Sequence, residues 1–243
     1  DWSSDVCSSD LFAVLALIGV VSMTGGLLLQ ETIPSRYTGT VAQSIRRLGT
    51  VLKNPNFTSL LIVFSLVSAA SLAFVSASSY IYQEEFGLSE QSYSFYFALN
   101  AVGLIAGPLL YLWLSRHISR RTIVTSGFTA VIGGGLLVCF FGNMGPLIFA
   151  LALFPASLMG SSVRPLGAFL MLDQQKEDTG SASALINCSG LVFGSAGMVL
   201  VFLNGGNLVF SLGAINVAVG VVCLLGWTAI GRRGLVTLST TPD

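Results

Sequence analysis

Seven apolar runs, at residues 11–29, 57–81, 92–114, 122–141, 146–172, 180–203 and 207–231, fill most of this 243-residue chain. A helix needs about 20 apolar residues to cross a hydrocarbon core, and each run is long enough, some with tilt. Only 9% of the residues are charged, against roughly a quarter in a soluble domain. Such a chain cannot keep its surface in water. The alternating strands of about 10 residues that mark an outer-membrane barrel do not occur. The expected fold is all-α and integral to a membrane.

The formal charge is zero, but its distribution carries the information. Basic residues near span ends are retained on the cytoplasmic side, while acidic ones contribute little to orientation. Arg36, Arg46, Arg47 and Lys53 lie in the gap 30–56, and Arg116, Arg120 and Arg121 lie in 115–121. Lys176 lies in 173–179, and Arg232 and Arg233 open the tail. The gaps 82–91, 142–145 and 204–206 hold no Lys or Arg. Ten of the eleven basic residues therefore fall on one face, which is expected to be cytoplasmic together with the C-terminal tail, 232–243.

Residues 1–10, DWSSDVCSSD, have neither the basic start nor the cleavage site of a signal peptide. The string matches the translation of a common sequencing-library adapter, and on that reading the chain is a fragment cut upstream. Without it the chain has eight acidic and eleven basic residues. In the gap 30–56, Val41, Ile45, Leu48 and Leu52 follow helical spacing beside Arg46, Arg47 and Lys53. This fits an amphipathic helix in the membrane interface, or equally a linker with chance periodicity.

Small residues mark helix faces: Ser65, Ala69, Ala73 and Ala77; Gly103 and Gly107; Gly190, Gly194 and Gly197. Such faces let helix backbones approach closely in lipid. Pro108, and the triplet Gly133-Gly134-Gly135, are expected to bend or weaken their helices. Ionisable groups inside a span are costly and functional by default. Arg164 is the clear case, facing either an aqueous cavity or, by snorkelling, the inner interface. No Asp or Glu lies inside a run, and Glu31, Glu84 and Glu85 stand at the edges. Tyr80, Phe95, Asn100 and Asn187, with Tyr96 as an alternative to Phe95, are expected to line an amphipathic pocket with Arg164.

The cysteines have unrelated spacings, and the single histidine, His117, has no thiol beside it. No metal, cofactor or nucleic acid is expected. The nucleophile, zinc-protease and phosphate-loop motifs are missing from the sequence, so no enzyme is expected either.

Several short strings, in order, resemble a known family. Leu29-Gln30-Glu31-Thr32 resembles the acidic end of a sixth helix. Phe86-Gly87-Leu88-Ser89 and Phe97-Ala98-Leu99-Asn100-Ala101 resemble the stretch joining helices seven and eight. Ser115-Arg116-His117-Ile118-Ser119-Arg120-Arg121 resembles the basic loop after helix eight, without its aspartate and glycines. Gly180-Ser181-Ala182-Ser183-Ala184-Leu185 resembles the start of helix eleven. Over residues 11–231 the chain is similar to the C-terminal half of a major facilitator transporter of the Bcr/CflA drug:proton antiporter type.

The resemblance implies twelve helices in two bundles, a substrate site between them, and transport by rocking one bundle against the other. Residues 11–29 would then be the last helix of an absent N-terminal bundle, 30–56 the cytoplasmic inter-bundle linker, and 57–231 the C-terminal six-helix bundle. A cationic or amphipathic drug would leave in exchange for protons across the bacterial inner membrane. The other readings are a carrier of a sugar or organic anion, and a non-transporting scaffold or receptor.

Overall fold

The computed structural model describes residues 2–28, 40–176, 178–203 and 206–232. The chain divides into two units, Asp1–Thr40 and Val41–Asp243. The expectations for Glu31, Arg36, Arg233 and the tail beyond it fall outside the described residues.

In the first unit one helix, α1, runs Trp2–Leu28. It includes the polar string of residues 2–10, which contains no glycine or proline to stop helix propagation. The apolar part is Phe12–Leu28, shorter than a full crossing. Its side chains are exposed.

The second unit holds α2 (Val41–Leu52), α3 (Pro55–Ser79), α4 (Glu90–Leu114), α5 (Arg120–Phe141), α6 (Pro146–Asp173), α7 (Thr179–Phe202) and α8 (Leu208–Arg232). Six helical stretches among the described residues are long and apolar enough to span a membrane, beginning with Pro55–Glu85. With the shorter apolar α1, these account for the seven runs.

Polar caps set most of the helix starts. The Asn54 Oδ1 accepts from the N–H groups of Asn56 and Phe57, with Pro55 opening α3. Ser89, Ser119 and Asp178 cap α4, α5 and α7 in the same manner. These side chains satisfy helix N–H groups that otherwise lack partners. Between α5 and α6 a short 3-10 turn, Gly142–Met144, leads into Gly145 at φ 155°. An L side chain would be strained there.

The amphipathic segment of the 30–56 gap is a helix, Val41–Leu52, with Ile45 and Leu52 of the expected stripe exposed and Val51, beside the stripe, buried. α2 leans on α3 and α7, and these contacts fix its rotation.

α3 stands at the centre, packed along α7 and α8 and touching α6; α6 packs along α4 and α5, and α5 along α8. The small-residue faces are the seams. A Cβ on Gly197 would lie 2.7 Å from the Cα of Ala69, so the α3 and α7 backbones meet there. A Cβ on Gly107 would meet the α6 backbone at Leu158 and Ser162, and Gly135 lies equally close to Gly213 and Val217 of α8. Neither the glycine triplet nor Pro108 interrupts its helix. Gly134 faces Ala156 of α6 and Gly135 faces α8, so contacts on two sides hold the segment helical.

α3 passes without a break into a π-helical turn, Tyr80–Glu85. Phe86 N–H donates to Ile81 C=O at 3.0 Å. Glu84 and Glu85 are therefore in the helix rather than beyond it. The Glu85 Oε1 accepts from Leu208 N–H at 2.8 Å, capping α8 from across the bundle. Tyr82 is fully buried, stacked on Tyr96 at 5.5 Å and 7° and edge-on to Phe149.

Three outcomes are expected. Gly197→Leu overpacks a backbone contact and should lose at least about 1–3 kcal/mol, read as a lower unfolding midpoint in lipid. Gly133→Ala, with open space at its Cβ, should be neutral or stabilising. Glu85→Ala should speed hydrogen exchange at the Leu208 amide about fivefold, the loss of a cap worth roughly 1 kcal/mol.

Candidate functional site

α3, α6 and α7 enclose an open cavity of about 460 Å³. From α3 come Phe64, Ser65, Ser68 and Leu72; from α6, Arg164, Ala168 and Met171; from α7, Ile186, Asn187, Gly190 and Leu191. The wall is mostly apolar with a few polar groups, the usual composition of a small-molecule site.

Each polar group has a definite position. Arg164 lies about 7 Å from the middle of α6, toward its Asp173 end, at 1.5 Å per residue. Asn187 lies about 5 Å from the middle of α7 toward Thr179. The chain reverses between the two helices, so these depths match. Asn54 Nδ2 donates to Gln174 C=O at 3.3 Å, which brings the start of α3 to that same end. Ser65 and Ser189 share a hydroxyl hydrogen bond of 2.7 Å across the α3–α7 seam. Asn187 Nδ2 donates to Ser183 C=O at 3.0 Å. Arg164 is exposed, and Phe64 is fixed between Phe128 and Trp227 at ring distances of 6.0 and 5.9 Å.

Of the five residues expected to line one pocket, Arg164 and Asn187 meet in this cavity and the other three lie elsewhere. Asn100 is fully buried in the α4–α6 seam. Its Oδ1 accepts from Ser157 at 3.5 Å and its Nδ2 has no partner. Tyr80, on the π turn, packs edge-on to Phe202. Phe95 is 68% exposed on α4, edge-on to Tyr96. The buried residues of α4 (Asn100, Gly103, Gly107, Leu114) define its α6-facing side, and Phe95 is turned away from it.

Sequence reasoning missed the site roles of Ser65, Ser68 and Gly190. Ser65 and Gly190 were read as small packing residues. The signal available was that a small-residue stripe carried hydroxyls at one depth. Among the described residues, no group of three or more His, Cys, Asp or Glu stands ready to hold a metal ion.

The sequence model of the Major Facilitator Superfamily matches residues 11–198. The chain belongs to that superfamily. Members of that superfamily are multi-pass membrane transporters, a class of proteins that are not enzymes. It is 27% identical over 228 residues to an uncharacterized MFS-type transporter, YdgK, of Bacillus subtilis (strain 168). That alignment takes in 92% of this chain and 56% of the relative, so the chain spans about half the relative's length.

Asn100 provides a test of this placement. Replacing both partners of a buried polar pair with apolar groups of similar size is near neutral. Asn100→Leu combined with Ser157→Ala, which removes the donor to its Oδ1, is expected to keep stability within about 1 kcal/mol and leave transport unchanged. A residue in contact with substrate would instead show a raised KM.

Proposed function

We propose that this chain is the C-terminal half of a carrier that exports an amphipathic small molecule by alternating access, in exchange for protons. The observation that carries the reading is the 460 Å³ cavity between α3, α6 and α7, with a cation and an amide at matching depth in a member of a transporter family. A second bundle, in keeping with the relative's greater length, would close the open side of that cavity. Residues 11–29 would be that bundle's last helix and 30–56 the inter-bundle linker.

The exchange of drug for protons rests on the Bcr/CflA resemblance. Among the described residues of α4 to α8 the carboxylates stand only at helix ends, Glu90 opening α4 and Asp173 closing α6, so the coupling group would lie in the other bundle. The basic ends of the helices, with Arg116, Arg120 and Arg121 between α4 and α5, are assigned to the cytoplasm by the positive-inside rule. The tail after α8 then lies inside as well, in a bacterial inner membrane.

Efflux of a fluorescent amphipath from vesicles holding the full-length protein tests the reading. Flux should rise with an inward proton gradient and vanish with an uncoupler. No flux of any compound in either direction would favour the scaffold reading instead. Filling the cavity should abolish flux without unfolding the bundle. Gly190 is the position for it, because a Cβ there meets only the Ser68 hydroxyl, at 3.5 Å. Gly190→Phe is expected to cut flux more than tenfold while the unfolding midpoint stays near that of the parent.

A further inference from the structure

We infer that the carried amphipath is an organic anion, with a carboxylate head seated on Arg164 and an apolar body against Phe64, Leu72, Met171 and Leu191. The inference rests on the transport reading above and adds the chemical class of the cargo.

The first argument is charge. Arg164 is the only ionisable residue in the cavity wall. Among the described residues it makes no hydrogen bond, ion pair or ring contact, and no carboxylate reaches it. Two basic side chains near helix ends do find partners: the Arg120 guanidinium lies over the Phe169 ring at 5.2 Å, and Lys176 pairs with Asp173 at 2.9 Å. A lone charge well inside a membrane span is expensive, and such groups face water or a partner. Here the group faces a cavity with room for a ligand.

The second argument is discrimination. At about 6 Å and an effective dielectric near 20, a unit charge on the ligand changes binding by roughly a hundredfold, favourably for an anion and unfavourably for a cation. Water entering the open side weakens this toward tenfold. No acidic group in the wall offsets that bias against cations. The guanidinium also presents paired donors that match a carboxylate geometrically.

The third argument is the rest of the wall. The Asn187 Oδ1 has no partner, while its Nδ2 is committed to Ser183. The hydroxyls of Ser65 and Ser189 are committed to each other. With the Ser68 hydroxyl and the Asn187 Oδ1 as neutral neighbours in the wall, Arg164 is the dominant polar anchor, surrounded by side chains that suit hydrocarbon. A sugar, which needs many hydrogen-bonding groups around it, finds few here. An amphipath with one charged head fits.

The test uses the full-length protein in proteoliposomes and two dyes that share a fluorophore, dansylglycine (a carboxylate) and dansylcadaverine (an ammonium). A panel of aryl and alkyl carboxylates, with the corresponding amines, is screened in parallel by thermal stabilisation. Carboxylates should stabilise the protein and dansylglycine should be carried. Arg164→Gln should weaken both at least tenfold, with Arg164→Lys recovering part of the loss. Unfolding midpoints of the unliganded variants check that both are folded. If amines stabilise and dansylcadaverine is carried, or if dansylglycine flux survives Arg164→Gln, the anion assignment is overturned and the transport reading stands. If no compound moves or stabilises, the transport reading fails and the assignment fails with it.

Discussion

Close approach of helix backbones is the constraint on which the rest of this structure depends. Lipid is as apolar as the side chains, so burial in it does not drive helices together as it does in water, and packing shape decides. In this chain the shape is set where glycine or alanine on one helix meets backbone on another. Gly197 lies against Ala69, Gly107 against Leu158 and Ser162, and Gly135 against Gly213 and Val217. These contacts make three seams, α3–α7, α4–α6 and α5–α8, and contacts from α3 and α5 tie them into one unit. α4 and α7 lean mainly on one neighbour each, and they are the least buried of the six long helices.

The cavity follows from the same seam. At Gly197 the α3 and α7 backbones meet and at Gly194 the Leu72 side chain fills the space, but at Gly190 a Cβ would touch only the Ser68 hydroxyl. From there toward the α7 start the two helices are linked through Ser65 and Ser189. α6 touches α7 along only a short stretch. The space between them is thus bounded by α3 at the back, and Arg164 on α6 projects into it. One cation is placed by three helices whose spacing small residues determine.

Much of the fold was legible in the sequence because the physics there is local. Run length gives the spans, whereas the caps that fix their starts, Asn54, Ser89, Ser119 and Asp178, emerge only in the structure. The stripes of small residues give the faces, yet not which face meets which, since a single sequence carries no pairing information. The same gap explains the site. Arg164 stood out by cost alone, and the cavity holds it. Tyr80, Phe95 and Asn100 were picked by residue type, and type does not fix rotational phase against a neighbour. Asn100 points into a seam and Phe95 points away from one, although both lie on α4 within five residues. α2 shows the effect on a smaller scale: the stripe gave the helix, but not that contact with α3 and α7 buries Val51 beside it.

The two ends of the bundle are held by different chemistry, and this bears on how its walls can move. At the end near Asp173, Asn54 joins the start of α3 to Gln174 just past α6 through one side chain. At the far end, the π turn places Tyr82 among Phe86, Tyr93, Tyr96 and Phe149, and Glu85 ties that turn to α8. A π turn and a buried Tyr82 hydroxyl with no partner both cost free energy. They persist because the surrounding rings and the Glu85 cap fix the turn more firmly than its own hydrogen bonds do. At the far end α3, α4 and α6 thus meet in one aromatic cluster, with α8 tied to it through Glu85. Arg164 and Asn187 lie in the other half, where Phe64 of α3 packs against Gly167 of α6 but the α6–α7 contact is sparse. A rearrangement that changes access to the cavity meets least resistance between α6 and α7, because few interactions must break for α7 to move relative to α6.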